Sequence, residues 1–395
     1  MSKQEHRSAY KRKIAKNFGV APDRVFLFWK GRVAMYALLK AYGIGSGDEV
    51  VVPAFTCVVV PNAVLYCNAT PVYADVDPLT CNAEAPNVTS RISPRTKLVV
   101  AQNTYGLSPD MGPLLQTCTE RRVPVIEDCT HGFGGTYQGK QNGMLSEASF
   151  FSTQWNKPYS TGIGGFAVVH NERLVPAMKA LEERAINPTL SETLSLRMLM
   201  TANRMIPPQL YWPAVKTYRY LSKKNVTVGS SSGGELESAS QPEGYFKGMS
   251  NFQAKVGARE IGNAGRYNEH RILLANFYTQ ALLELGITPP YAPSYATHTF
   301  LKYPLFVKNR GEFLAAAEKQ NVELGDWFLS PIHPVTRNFE RWQYPVGTNP
   351  VAEALGAHVV NLPTGPNVDR KQAERVIDFI TRHRSQVFNR VQDLL

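Results

Sequence analysis

Short apolar runs that alternate with helical spacing between residues 25 and 170 are the feature of this sequence that most restricts its fold. Arg32–Tyr42 and Val60–Cys67 carry apolar residues at helical spacing. Strands separated by crossover helices pair mainly in parallel and bind ligands at their carboxyl ends. The pattern predicts an α/β fold with a mainly parallel sheet, and Thr104, Asp128 and Lys157 lie at or just beyond strand ends. The predicted strands are Val50–Pro53, Pro71–Val76, Leu98–Ala101, Val123–Ile126 and Gly164–Val169.

The remainder of the chain is predicted to be mainly helical. Thr189 and Glu192 form a capping box, which precedes apolar residues on one helix face. Two further helices, Gln253–Leu285 and Asp369–Arg382, mix with short strands such as Tyr303–Val307 in a smaller α+β domain. We therefore expect an N-terminal arm over 1–24, a large α/β domain over 25–228 with a helical extension over 189–228, a flexible Gly/Ser-rich loop over 229–244, and a small domain over 245–395. The predicted apolar face consists of Leu194, Met198, Ala202 and Met205.

Composition narrows the class of protein. No apolar run is long enough to span a membrane and no signal peptide is visible, while five cysteines without C-x-x-C spacing argue against a disulfide framework or a zinc site. We expect a cytoplasmic enzyme. The net charge of +11 favours anionic ligands, but no nucleic-acid-binding motif accompanies it, so we expect no nucleic acid partner. The basic and aromatic stretch 211–224 leaves peripheral membrane contact open, although an ordinary amphipathic helix is favoured.

The combination of Asp128 and Lys157 is the most specific indication of function in the sequence. Asp128 follows an apolar strand, and Lys157 stands before the Ser/Gly-rich turn 160–165. Pyridoxal phosphate (PLP) needs a lysine that holds it as an imine and a carboxylate that keeps its pyridine nitrogen protonated. Taken singly, the lysine would be a solvated charge and the aspartate a helix N-cap. Together they predict a PLP site.

Other residues are candidates for the same site. Lys30-Gly31-Arg32 precedes a helix whose N-terminus suits a phosphate, and Arg32 can add a forked contact, although in isolation a solvated basic helix start is the favoured interpretation. Ser152 is a candidate for a second phosphate ligand. His131, in a glycine-rich loop, is placed to hydrogen-bond the phenolic oxygen of PLP. Phe55 and Cys57 could supply a face for the ring, with core packing as the alternative.

Several ordered segments resemble the DegT/DnrJ/EryC1/StrS family of PLP-dependent sugar aminotransferases. The resemblance runs over nearly the whole chain, and several linked motifs in order are more specific than any one of them. It implies the fold of type I PLP transferases, with a seven-stranded, mainly parallel sheet in the large domain. The matching segments are Gly43–Val50, Pro53–Thr56, Pro71–Asp77, Thr104–Gly106 with Asp110–Met111, Ile126–Asp128, Phe151–Lys157, Thr161–Gly165 and Val359–Pro363.

The resemblance also implies roles. Lys157 falls on the Schiff-base lysine, Asp128 on the partner of the pyridine nitrogen, His131 on a residue that contacts the phenolic oxygen, and Ser152 on a phosphate ligand. The family is typically a homodimer with active sites at the subunit interface. Its members commonly take an amino group from L-glutamate or L-glutamine and pass it to a keto sugar nucleotide.

The chain departs from the family pattern at several positions. Lys30-Gly31-Arg32 replaces Ser-Gly-Thr, Phe246 replaces an Asn that reaches the cofactor phosphate from the neighbouring subunit, and Gly248 replaces an Arg. Ile163 replaces a common Glu, and Cys57 stands where an aromatic residue is frequent. Our hypothesis is that Arg32 compensates for Phe246 from within the same subunit.

Three alternatives to a nucleotide-sugar aminotransferase stay open. One is a PLP-dependent sugar dehydratase or related elimination enzyme, against which Lys157 argues because dehydratases of the family have His at that position. Another is an aminotransferase that acts on a non-nucleotide ketone. The third, from a different class, is a cofactor-binding sensor or scaffold, which turnover with any amino donor would exclude.

Overall fold

The computed structural model describes residues 3–205, Thr217 and residues 233–395, and its largest element is a seven-stranded sheet. The strand order is β1-β10-β9-β6-β5-β2-β4, and every neighbouring pair is parallel except the two that include β10. This confirms the predicted α/β fold with a mainly parallel sheet. The described strands are β1 Val25–Phe28, β2 Glu49–Pro53, β3 Thr56–Cys57, β4 Thr70–Ala74, β5 Thr96–Gln102, β6 Val125–Asp128, β7 Thr136–Tyr137, β8 Lys140–Gln141, β9 Ala148–Ser152, β10 Gly165–Val169, β11 Ala296–Thr297, β12 Tyr303–Phe306, β13 Ile332–His333 and β14 Val359–Leu362.

Helices cover this sheet and build the rest of the chain. The predicted helix over residues 253–285 is interrupted by a 3₁₀ turn at Ile261–Asn263, where Gly262 and Asn263 are poor helix formers. The described helices are α1 Lys3–Phe18, α2 Gly31–Ala41, α3 Val59–Leu65, α4 Ala85–Thr89, α5 Met111–Glu120, α6 Val175–Arg184, α7 Leu190–Met205, α8 Gly233–Glu237, α9 Asn251–Glu260, α10 Ala264–Glu284, α11 Arg310–Lys319, α12 Pro350–His358 and α13 Arg370–Arg382.

Two large apolar clusters organise the packing. Strands that are buried on both faces, such as β2 and β9, read as continuous apolar runs and form the centre of the first cluster with α2 and α3. A second cluster joins α10, α11 and α13 to the antiparallel pair β12 and β14. The capping boxes that begin α9 and α13 satisfy backbone N–H groups at those helix starts.

The helix α7 begins as the sequence predicts, but its apolar face is exposed. Thr189 and Glu192 exchange the two capping hydrogen bonds. Leu194, Met198 and Met205 are all more than half exposed, so no other described part of the chain covers this face. The basic stretch 211–224 lies outside the described residues apart from Thr217. Among the helices of the described ranges, none is long and apolar enough to cross a membrane.

Candidate active site

The Lys157 side chain lies in the loop after β9, among charged and aromatic groups. Its Nζ atom is 4.9 Å from the centroid of the Trp327 ring. Burial lowers the pKa of Lys157 to about 8, and the nearby cations of Lys302 and Arg32 act in the same direction, against the carboxylate of Asp128. A lysine with a depressed pKa has more of its neutral, nucleophilic amine near neutral pH.

The backbone of the Lys157 loop is held by Arg271 of α10. Both terminal nitrogens of Arg271 donate to the carbonyl of Pro158 at 3.2 Å, and Nη2 also donates to the carbonyl of Lys157 at 3.4 Å. Arg271 Nη1 further donates to Asn268, whose amide nitrogen donates to the carbonyl of Phe133. One helix from the C-terminal part of the chain therefore fixes two loops of the site.

Asp128 ends β6 and is 3% exposed, and it faces away from its neighbour Glu127 as strand alternation requires. Its Oδ1 atom accepts the backbone N–H of Thr130 at 2.9 Å, and burial raises its pKa, while Lys157 opposes that rise. Glu127 accepts backbone N–H groups from the loop 143–146. Of the two acidic side chains, the structure places Asp128 beside Lys157.

His131 is buried, and its surroundings keep it neutral. Its Nδ1 atom accepts the backbone N–H of Tyr105 at 3.3 Å, and its ring stacks on Phe328 with centroids 5.7 Å apart. Burial, together with the cations of Lys157 and Lys302, holds the pKa of His131 well below its usual range. Because Nδ1 accepts a hydrogen bond, the neutral ring carries its hydrogen on Nε2 and can donate from there.

The N-terminus of α2 lies against β9 and β10 without a side-chain cap. A Cβ atom at Gly31 would lie 2.8 Å from the Cβ of Ser152, and one at Gly165 would lie 2.3 Å from the Gly31 Cα. Lys30, at the N-cap position, makes no side-chain capping bond. The first N–H groups of a helix have no partner within the helix. The two glycines thus bring a helix N-terminus and a serine together, an arrangement that suits an anion.

Arg32, the predicted forked phosphate ligand, is itself bound to a carboxylate. Its Nη1 atom is 2.6 Å from Oε1 of Glu235, and the two side chains are 6% and 3% exposed. Glu235 belongs to the short helix α8, inside the stretch that the sequence suggests as a flexible loop. Within its described part, residues 233–244, that stretch is thus anchored at Glu235 by a buried ion pair.

The two candidates for a ring face differ in position. Phe55 is fully buried and packs edge-on against Tyr105 and Phe328. These contacts are those of a core residue, the alternative to a role in stacking on the cofactor ring. Cys57 is half-buried, burial raises the pKa of its thiol, and Arg32 counters that rise. Cys57 lies close to Arg32, Lys157 and Asp128, the charged residues of the site.

Sequence reasoning missed Trp327 and Lys302. The ammonium of Lys302 is 5.9 Å from the Trp327 ring, whose face also receives Lys157. Strand β13 pairs in parallel with β3 and so brings the region around residue 330 to the carboxyl ends of the sheet. Periodicity gives no signal for this contact, because it joins segments that are far apart in the sequence.

Phe246, which stands where the resemblance implies a phosphate-binding Asn, packs within its own chain. Its ring lies 5.9 Å from Phe28 and 5.6 Å from Tyr36. The neighbouring Lys247 forms a 2.5 Å ion pair with Glu192. Phe246 therefore fills apolar space beside β1 and α2.

These residues fit PLP. A poised amine, a buried carboxylate and a neutral histidine lie beside a helix N-terminus where two glycines leave no room for a Cβ atom. Lys157 would hold the aldehyde carbon, Asp128 the pyridine nitrogen, and the Gly31–Ser152 cradle the phosphate.

Comparisons with known proteins agree on one family. The model described as the DegT/DnrJ/EryC1/StrS aminotransferase family matches residues 8–207 and 214–381. A GDP-perosamine synthase from Vibrio cholerae is 33% identical over 364 residues, which cover 89% of this chain and 84% of that protein. A GDP-perosamine synthase from Caulobacter vibrioides is 29% identical and covers 88% and 82%. The PLP form of a putative sugar aminotransferase from Streptococcus pneumoniae has the same fold, with a TM-score of 0.73 over 98% of this chain and 92% of that chain at 15% identity.

Proposed function

Because this chain belongs to the DegT/DnrJ/EryC1/StrS aminotransferase family and is a PLP-dependent sugar aminotransferase, we propose that it moves an amino group from L-glutamate or L-glutamine to a nucleotide-linked keto sugar. The observation that carries the proposal is the meeting of Lys157, Asp128 and His131 beside the α2 N-terminus. We further propose that the product serves cell-surface polysaccharide or secondary-metabolite biosynthesis.

Each residue has a separate task in this proposal. PLP, when bound, supplies an electron sink for the carbon that loses or gains the amino group. Lys157 attaches the cofactor and, once a substrate amine has displaced it, carries the proton that must move between carbon atoms. The Asp128 carboxylate keeps the cofactor's ring nitrogen protonated by a charge-assisted hydrogen bond. His131 donates from Nε2 to an oxygen acceptor.

The acceptor is inferred from charge and from relatives. A nucleotide sugar carries phosphate groups, which suit a chain with a net charge of +11. Two relatives are GDP-perosamine synthases, and their names identify a GDP-linked product. Lys302, beside Trp327 and Lys157, adds a cation to the same face of the site.

The test begins with the visible spectrum of the protein mixed with PLP. We expect an absorption band of lysine-bound PLP that bleaches when L-glutamate or L-glutamine is added, and no such band in Lys157→Ala. Candidate GDP- and dTDP-linked keto sugars are then added to the aminated enzyme, and return of the band identifies an acceptor. Bleaching by neither donor would refute the proposed amino transfer from these donors. Return of the band with a free ketone alone would refute the nucleotide requirement.

A homodimer with active sites at the subunit interface stays a prediction. Sedimentation equilibrium of the PLP-loaded protein tests it, and a mass near 43.9 kDa at micromolar concentration would contradict it.

A further inference from the structure

Five charged side chains meet at the start of α2, where the cofactor phosphate is expected. Three are the cations of Lys30, Arg32 and Lys247, and two are the carboxylates of Glu235 and Glu192. The pKa of Lys30 is lowered to about 8 because burial outweighs the attraction of Glu235. The cluster therefore places two carboxylates and three cationic groups beside a helix N-terminus, whose dipole favours an anion.

Glu235 is built into this cluster more firmly than a surface carboxylate would be. Asn62 donates from Nδ2 to the Glu235 carbonyl at 3.0 Å, and Trp342 Nε1 donates to Asn62 Oδ1 at 2.7 Å. Tyr245 donates from its hydroxyl to the carbonyl of Arg32 at 3.1 Å. Backbone bonds at both ends thus hold the Glu235–Arg32 pair in place.

The position of Arg32 makes it accessible to two different anions. Its guanidinium pairs with Glu235, and its backbone directly follows Gly31, where a Cβ atom would lie 2.8 Å from Ser152 of the predicted phosphate cradle. A buried cation without an anion is strongly unfavourable, and a buried carboxylate close to a phosphate is also unfavourable. Glu235 and a phosphate therefore compete for the same positive charge.

We propose that Glu235 is a resident counter-ion of Arg32. The Glu235 carboxylate stabilises the empty site, and it weakens the binding of the cofactor phosphate because both anions interact with Arg32. This proposal rests on the proposed function. It also accounts for the Arg that stands at the start of α2, since the carboxylate offsets an added cation at a buried helix end. The cofactor is held less tightly than the cations alone would allow.

Glu235→Gln removes the negative charge at nearly constant shape, because glutamine keeps one oxygen that accepts from Arg32 and carries an uncharged NH2 group in place of the other. We expect the empty variant to melt several degrees below the parent. We also expect its PLP dissociation constant to fall about tenfold, the size of effect that one charged hydrogen bond produces. Inorganic phosphate should raise the melting temperature of the variant more than that of the parent. The matched control is Glu237→Gln, an exposed carboxylate on the same helix, which should leave all three measurements unchanged.

The outcomes separate this proposal from the proposed function. A parent that shows no absorption band of lysine-bound PLP refutes the proposed function, and the inorganic phosphate titration then decides the role of Glu235 by itself. If the parent shows the band and Glu235→Gln binds PLP equally or more weakly, the competition is refuted. Should Glu235→Gln not fold, Glu235→Asp replaces it. The shorter carboxylate is withdrawn from Arg32, so PLP must again bind more tightly, and weaker binding overturns the proposal.

Discussion

Arg271→Met tests whether the guanidinium of α10 serves the stability of the fold or the placement of Lys157. Arg271 is 3% exposed and donates to three acceptors, the carbonyls of Lys157 and Pro158 and the side chain of Asn268. A buried acceptor that loses its donor costs about 1 kcal/mol at the lower end of the usual range, so the lost bonds sum to about 3 kcal/mol.

An opposing term has the same size. Burial lowers the pKa of Arg271 to about 10, well below the ordinary value of an arginine, and the free-energy equivalent of that change is a cost of about 3 kcal/mol for the buried charge. Methionine removes that cost together with the bonds. The two terms, each of about 3 kcal/mol, therefore nearly cancel. We therefore expect the melting temperature of the empty Arg271→Met protein to stay close to that of the parent.

Lys157 should nevertheless be positioned less precisely in Arg271→Met, because the Lys157–Pro158 backbone loses the hydrogen bonds from Arg271. We expect PLP binding to weaken by about 1.4 kcal/mol, which corresponds to a tenfold larger dissociation constant. Arg271→Lys is the matched variant, since it keeps the buried charge but loses the planar fork. We expect it to be less stable than Arg271→Met, as measured by thermal melting. The reasoning is refuted if the Arg271→Met protein melts far below the parent while the Arg271→Lys protein melts at the parent's temperature.

The remaining predictions concern the cofactor site. The rate at which PLP attaches to the empty enzyme should rise with pH and level off above about 8, because the unprotonated Lys157 amine attacks; a flat profile in stopped-flow absorbance would contradict this. Asp128→Asn should move that profile to lower pH, since the carboxylate raises the pKa of Lys157, and a shift to higher pH would refute the assignment. Gly31→Ala places a Cβ atom 2.8 Å from the Ser152 Cβ, so PLP binding measured by titration should weaken about tenfold, whereas Gly45→Ala, with open space around it, should bind like the parent.

Local sequence signals predicted the elements whose causes are themselves local. The β-strand runs are buried on both faces and so read as apolar runs, and the Thr189–Glu192 capping box forms as the sequence indicates. Asp128 also follows from local rules, because strand alternation directs it away from the side taken by Glu127. Lys157 lies beside Asp128 because Asp128 ends β6 and Lys157 follows β9, the parallel neighbour of β6.

Contacts between distant segments could not be predicted in this way. Trp327 reaches Lys157 because β13 pairs with β3, and Arg32 pairs with Glu235, which lies inside a stretch that its glycine and serine content predicts to be flexible. The division of residues 253–285 into α9 and α10 depends on a weak pair, Gly262-Asn263, within an otherwise helical pattern. The amino-acid composition of such a stretch does not indicate which distant residues it contacts in the folded chain.

The pairing of β3 with β13 has a consequence for the order in which the molecule acquires its cofactor. Thr56 and Val58 donate their backbone N–H groups to the carbonyls of Pro331 and His333, and this pairing also brings Trp327 to Lys157. During synthesis from the N-terminus, the lysine and its carboxylate partner emerge long before this last wall of the site. A ribosome-bound chain can therefore present Lys157 without enclosing it, and we expect full retention of PLP only after synthesis has passed His333.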